Sequence, residues 1–258
     1  MINKSTFLLA ALCSAYSFAQ TSVADLPNVS AVTVTNTVDL PQNPAAVTVQ
    51  RGPYLQSGTP TSVVVKWRTD VPTESVVHYG KKLNSLSKKA SSTTLTTEHQ
   101  VALSGLSPNT KYFFNIGNKA GVLSESTSGD MYVITSPLAG TKQFVRAWIL
   151  GDAGTANNNQ REVRDAYYDY VDAAPKNTGK TDMMLFLGDN AYGSGTDEEY
   201  QNALFDIYDE MLKKSVAWSC LGNHDGKSAD SATQSGPYYD IFTFPTAAQA
   251  GGTASGTE

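Results

Sequence analysis

Three segments decide the fold, and they read FVRAWILGD at residues 144–152, DMMLFLGD at residues 182–189 and VAWSCLGNHD at residues 216–225. In each, a short apolar run leads to a glycine, and a polar side chain follows at once. Short runs that are nearly all apolar are typical of strands buried on both faces of a parallel sheet. The sequence therefore predicts strands over residues 144–150, 182–187 and 216–221.

Helical patterns separate these strands. Residues 158–174 place apolar side chains at helical spacing, and Thr196 with Glu199 three residues later forms a capping box that opens a second helix. Strands that alternate with helices in this way run parallel and are joined by right-handed crossovers. We therefore predict a βαβαβ unit in a domain over residues 141–258.

Residues 47–137 show a different pattern, in which short alternating strands are separated by Pro, Gly and Asn. In the first of them, Val63, Val65 and Trp67 share one face. This pattern predicts a β-sandwich. The predicted strands cover residues 62–68, 75–79, 98–103, 111–117 and 131–135.

The sandwich resembles a fibronectin type III domain at one turn. Residues 106–112, LSPNTKY, resemble the tyrosine corner of that fold, with Tyr112 as the corner and Trp67 as the core indole. A basic cluster consists of the lysines at positions 81, 82, 88 and 89. We expect these lysines in a solvated loop, and a ligand-binding role is the alternative.

The N-terminus has the pattern of an export signal. Lys4 precedes an apolar run over residues 7–13, and a small-x-small cleavage site ends at Ala19. This predicts a signal peptide over residues 1–19, a secreted or periplasmic protein and a linker over residues 20–46 with one candidate strand. A buried element at the start of the fold is the alternative. Cleavage leaves Cys220 as the remaining cysteine, so no intramolecular disulfide is expected.

Composition excludes several classes of protein. The 258 residues are 40% hydrophobic and 17% charged, which argues against a disordered chain. Nineteen basic residues against 24 acidic ones give a net charge of −5, so we expect no nucleic-acid partner. No apolar run after residue 20 reaches the roughly 18 residues that span a bilayer, so we expect no membrane span.

The strand ends carry the candidate chemistry. Ligands bind beyond the carboxyl ends of strands in open α/β sheets, so Asp152, Asp189 and Asn223 should converge. Their separations of 37 and 34 residues each fit one strand-helix repeat. Tyr192 and His224 lie close by in the sequence. For each residue a plain alternative remains: a turn or helix cap for a lone Asp, packing for Tyr192, and a structural role for His224.

These residue types suit metal ions. Carboxylate, amide and phenolate oxygens with imidazole favour iron, zinc or manganese. Two ions about 3.5 to 4 Å apart can clamp a phosphate and hold a hydroxide for attack on it. Asp189 ends the middle segment and is the natural bridge between two ions, and a phenolate from Tyr192 favours a trivalent ion.

The three strand-end blocks resemble a known family. Residues 151–154 (GDAG), 188–192 (GDNAY) and 222–225 (GNHD) resemble the first three of five sequence blocks of the purple acid phosphatases, a branch of the calcineurin-like metallophosphoesterases. Residues 51–56 (RGPYLQ) resemble the lead-in to that family's N-terminal domain. The implied fold is a fibronectin type III-like sandwich followed by the first βαβαβ half of a metallophosphoesterase sheet.

The resemblance implies residue roles and an activity. Asp152, Asp189 and Tyr192 would bind Fe(3+), with Asp189 bridging to a second divalent ion (Fe, Zn or Mn) held by Asn223. His224 would assist the leaving group. The implied protein is an exported acid phosphatase in which a metal-held hydroxide attacks a phosphorylated small molecule or a phosphoprotein.

The chain also departs from the family pattern, because the last two blocks supply three further histidine ligands. This sequence has three histidines, and His78 and His99 fall in the sandwich. We therefore expect an N-terminal fragment of a longer frame, inactive alone, whose last strand has an exposed edge or face. The alternatives are a non-catalytic fibronectin-type adhesion module with a remnant domain, and a phosphodiesterase of the same superfamily.

Overall fold

A computed structural model describes residues 46–175 and 179–248. The predicted signal peptide and almost all of the predicted linker, including its candidate strand, lie outside the described residues. Within the described part no helix is long and apolar enough to cross a membrane. The predicted boundaries between domains stay predictions.

The N-terminal part is all β. Two of its strands are unusually long: β2 spans 18 residues and β3 spans 16. The strands are β1 (Val49–Gln56), β2 (Val63–Gly80), β3 (Lys88–Leu103), β4 (Lys111–Asn118), β5 (Gly121–Ser124) and β6 (Tyr132–Ile134).

The long hairpin of β2 and β3 has different partner strands along its length. The first half of β2 pairs with β1, and its second half pairs with β4. Register shifts in the β2–β3 ladder between Arg68, Thr73 and Ser75 mark the bend between the halves. The sequence predicts two separate strands here, but irregular pairing bends the chain without ending the strand.

The sandwich core contains the two expected aromatic residues. Trp67 is fully buried, and the hydroxyl of Tyr112 accepts a hydrogen bond from the backbone N of Ser107 at 2.9 Å. Both predictions are confirmed. The prediction that the basic cluster lies in a loop is wrong for Lys88 and Lys89. These two residues begin β3, where they pair with Tyr79 and His78. Their side chains are exposed, as expected.

The C-terminal part has the predicted βαβαβ order. β7 pairs with β8 and β8 with β9, both in parallel. Asn157 caps the first helix, and the predicted capping box of Thr196 and Glu199 is confirmed. The elements are β7 (Ala147–Leu150), α1 (Asn158–Asp172), β8 (Met183–Phe186), α2 (Asp197–Tyr200), a π-helical turn (Gln201–Phe205), α3 (Asp206–Leu212), β9 (Val216–Ser219), a 3-10 turn (Asp225–Lys227) and α4 (Pro237–Ile241).

The last strand does not have the exposed edge that the sequence suggests. β9 pairs with β8 on one side and with β1 of the sandwich on the other, through Leu55 with Val216 and Gln56 with Ala217. Gly58 permits this approach, because a Cβ there would lie 2.7 Å from Val216 Cγ2. The prediction of an exposed edge is wrong, because a strand from the other predicted domain covers this edge. One face of the sheet is exposed, at Ile149 and Leu187.

Polar contacts also join the sandwich to the helices. The hydroxyl of Tyr54 donates to the carbonyl of Ile241 at 3.0 Å, and Lys66 Nζ donates to the carbonyl of Asp240 at 2.8 Å. Residues on both sides of the predicted domain boundary therefore pack together.

Candidate metal centre

The turns after β7 and β8 bring two carboxylates together. Asp152 and Asp189 both have left-handed backbone, with φ of 54° and 51°. Aspartate tolerates this conformation better than most residues. The backbone N of Asp152 donates to the carbonyl of Gly188 at 3.1 Å, and the N of Gly154 donates to the carbonyl of Asp189 at 3.2 Å. The two strand ends therefore form one interlocked pair of turns.

Two glycines allow this close approach. A Cβ at Gly154 would overlap the backbone of Asn190, and a Cβ at Gly222 would overlap the backbone N of Asp189. Any larger residue at either place would push the turns apart. The close approach of the turns therefore explains why glycine occupies these two positions of the sequence blocks.

The phenol of Tyr192 lies between the two carboxylates. Its oxygen is 3.1 Å from Asp152 Oδ1 and 3.0 Å from Asp189 Oδ2. Burial and the hydrogen bonds to the two carboxylates raise the pKa of Tyr192. Burial would raise the pKa of Asp189 as well, but hydrogen bonds from the backbone N of His224 and from Tyr192 outweigh it and lower that pKa. Asp189 is 7% exposed and is the more buried carboxylate.

The third strand end adds His224. Its backbone N donates to Asp189 Oδ1 at 2.9 Å, so both oxygens of Asp189 are bound within the site. The ring Nδ1 is 2.7 Å from the carbonyl of Gly193. Lys227 Nζ lies 3.0 Å from the same nitrogen. Within the described residues the other ring nitrogen, Nε2, makes no hydrogen bond. The ring also packs edge-on to Tyr192, with centroids 4.6 Å apart.

Four of the five predicted site residues thus lie in direct contact. The fifth, Asn223, is exposed in the turn between Gly222 and His224. Within the described residues its side chain makes no hydrogen bond to the other four.

A buried carboxylate that sequence reasoning missed ties the site loops together. Asp225 is 0% exposed. It accepts hydrogen bonds from Asn190 Nδ2 at 2.9 Å, from the backbone N of Gly222 at 2.9 Å and from the hydroxyl of Tyr200 at 2.6 Å. Asp225 belongs to the GNHD block, but an Asp after a His gives no local sign that it is buried.

The oxygen cluster fits one hard cation. Asp152, Asp189 and Tyr192 supply two carboxylates and a phenol from two adjacent turns, which is the donor chemistry that iron and manganese accept. Among the described residues no group of three or more His, Cys, Asp and Glu is placed to hold a metal ion. The fit therefore depends on the phenol of Tyr192.

Comparison with known families agrees with both halves of this description. Residues 51–131 match the family described as "Purple acid Phosphatase, N-terminal domain". Residues 145–255 match "Calcineurin-like phosphoesterase". Both parts of the chain are therefore similar to the purple acid phosphatases and the wider calcineurin-like phosphoesterases. A search of curated proteins found no match.

Two solved structures share the fold. A purple acid phosphatase, PPD1, from yellow lupin (Lupinus luteus) seeds matches with a TM-score of 0.53 and 16% identity over 70% of this chain. PhoD matches with a TM-score of 0.53 and 13% identity over 80% of this chain. This chain covers 36% of the first structure and 47% of the second.

Proposed function

We propose that this chain is part of an exported acid phosphatase that hydrolyses phosphomonoesters. The observation that carries the proposal is the position of the Tyr192 phenol, within 3.1 Å of carboxylates from two different strand ends. A structural tyrosine needs one hydrogen-bond partner, and here two acceptors of like charge surround one phenol. A bound cation would offset the repulsion between these carboxylates.

The proposed roles follow from the contacts for Asp152, Asp189, Tyr192 and His224, and from the resemblance of the GNHD block for Asn223. Asp152, Asp189 and Tyr192 would hold Fe(3+), and Asp189 would be the shared ligand because β8 lies between β7 and β9. Asn223 contributes to a second divalent ion, Fe, Zn or Mn. The bound ions supply charge neutralisation for the phosphate and the hydrolytic nucleophile.

His224 acts as the proton donor to the leaving group. The hydrogen bond from Nδ1 to Gly193 fixes the ring and leaves Nε2 to carry the transferred proton. Lys227 Nζ, 2.9 Å from the same carbonyl, adds a positive charge beside the ring.

The substrate proposed is a phosphorylated small molecule or a phosphoprotein. Asp152 and Asn223 are exposed, so the metal-binding turns open directly to solvent. The predicted signal peptide supports an exported location.

The test uses protein expressed from the complete reading frame that contains this chain. p-Nitrophenyl phosphate and bis(p-nitrophenyl) phosphate are compared as substrates, with iron, zinc and manganese content measured beside the rates. We expect hydrolysis of the monoester, its loss in Asp152→Ala and two metal ions per chain. Preference for the diester would support the phosphodiesterase alternative. Folded protein with neither metal nor activity would support the non-catalytic adhesion module.

A further inference from the structure

Two arginines of the sandwich form ion pairs with one aspartate in the phosphoesterase part. Arg51, on β1, is 2% exposed and donates from Nη1 to Asp197 Oδ1 at 3.0 Å. Arg68, on β2, donates from Nη1 to Oδ2 at 2.5 Å and from Nη2 to Oδ1 at 2.7 Å. Arg51 also binds the carbonyl of Asp197 and the side chain of Gln201. We call Arg51, Arg68 and Asp197 the arginine clamp.

The clamp holds the helix that follows the Tyr192 loop. Asp197 is the first residue of α2, five positions after Tyr192. The carboxylate of Glu199, in the same helical turn, accepts from the backbone N of Gly193 at 2.7 Å and of Ser194 at 3.0 Å. The short segment from Tyr192 to α2 is therefore bound to the helix whose start the sandwich fixes.

The other end of this segment meets the catalytic residues. The carbonyl of Gly193 is bound by His224 Nδ1 and Lys227 Nζ, and the phenol of Tyr192 reaches the two carboxylates. Any shift of α2 moves Gly193 through Glu199 and so displaces Tyr192. A displacement of 1 Å is enough to spoil a ligand geometry.

The clamp keeps its charge in acid. The hydrogen bonds from Arg68 and Arg51 lower the pKa of Asp197 to about 2. The carboxylate therefore stays ionised through the pH range in which an acid phosphatase works.

We propose that Arg51 and Arg68 are positioning residues for Tyr192, so that the sandwich is a working part of the phosphoesterase site. The inference rests on the proposed function, because the position of Tyr192 matters for catalysis only if Tyr192 is a ligand of the proposed metal. Its physical content is that the clamp sets the place of the Tyr192 phenol against Asp152 and Asp189.

The test observes Tyr192 without metal or substrate. The chain is labelled with tyrosine carrying ¹³C at Cζ, and the Tyr192 signal is assigned by its loss in Tyr192→Phe. The variants are Arg68→Met, Arg51→Met and Asp197→Asn. The matched control is Lys66→Met, because Lys66 is another buried sandwich cation, 4% exposed, that binds the carbonyl of Asp240 at the end of α4 and not α2.

We expect the Tyr192 signal to move toward the position of a solvent-exposed tyrosine in the clamp variants. The signals of tyrosines outside the segment from Tyr192 to Tyr200 should stay in place. In Lys66→Met the Tyr192 signal should stay in place. Arg68→Lys should cause a smaller shift than Arg68→Met, because lysine keeps the charge but loses the two-pronged contact.

An unmoved Tyr192 signal in both Arg68→Met and Asp197→Asn would overturn the inference, as would an equal shift in Lys66→Met. If Arg51→Met does not fold, the other two clamp variants decide the result. Because no metal or substrate is present, the outcome is independent of phosphatase activity. Failure of the proposed function would leave it unchanged.

Discussion

His99 should make the stability of the sandwich depend on pH below neutrality. The ring is 0% exposed and lies between two hydroxyls, with Nε2 2.8 Å from Thr69 Oγ1 and Nδ1 2.8 Å from Ser75 Oγ. It stacks on Trp67 at a centroid distance of 4.6 Å. Burial lowers the pKa of His99 from 6.5 to about 4.

The sign and size of the effect follow from this shift. Between pH 6.5 and 4, His99 binds a proton in the unfolded chain but not in the folded chain. The free energy of unfolding therefore falls as the pH falls. The free energy of unfolding keeps the full contribution of His99 above pH 6.5. The shift in pKa corresponds to a loss of about 3 kcal/mol of this free energy by pH 4. Asp197 titrates lower, since its pKa is about 2, and contributes little in this window.

The assay is urea unfolding followed by tryptophan fluorescence, at pH values from about 7 to about 4. His99→Gln should lower the free energy of unfolding at pH 7, because glutamine loses the stack on Trp67, but its stability should vary much less with pH. His78→Gln is the control and should keep the pH dependence of the unmodified chain. Equal pH dependence in His99→Gln and the unmodified chain would refute the reasoning.

Three further predictions concern the site. Asp225→Ala should lower the free energy of unfolding by about 3 kcal/mol in the same urea assay, because the buried donors of Asn190 and Tyr200 lose their acceptor. Asp230→Ala, at an exposed position, should have little effect. In the protein from the complete reading frame, Asp189→Asn should lose more metal and activity than Asn223→Ala or His224→Ala, because a shared ligand serves both ions; two metal ions retained per chain would contradict sharing. Residues 20–258 expressed alone should bind the second metal ion weakly and hydrolyse p-nitrophenyl phosphate negligibly, since an ion needs at least about three protein ligands and this segment offers the second ion only Asn223 and the shared Asp189. Robust activity that is lost in Asp152→Ala would show that these residues suffice.

Local patterns predicted the parts of the fold that depend on local physics. The βαβαβ order follows from apolar runs and helical spacing, and the capping box at Thr196 needs only residues within one turn. The continuity of β2 through Pro72 could not be predicted, because a proline inside a run normally indicates the end of a strand and the continuity depends on pairing with β3. The pairing of Leu55 with Val216 joins residues far apart in the chain, so no local pattern indicates it.

The candidate site was predicted in a similar way. Strand ends of a parallel sheet must meet at one edge, so the approach of Asp152 and Asp189 follows from topology. The role of Asp225 could not be predicted, because its partners Asn190 and Tyr200 come from a distant turn and from α2, and its burial depends on both. The clamp on Asp197 escaped prediction for the same reason, since Arg51 and Arg68 lie in the other predicted domain.

The most direct test of the central claim is the visible absorption spectrum of the protein from the complete reading frame after loading with Fe(3+). We expect a tyrosinate-to-iron charge-transfer band that disappears in Tyr192→Phe. Other tyrosine substitutions, such as Tyr170→Phe on the exposed surface of α1, should leave the band in place. Iron bound to the same extent with an unchanged band in Tyr192→Phe would contradict the claim that Tyr192 is an iron ligand.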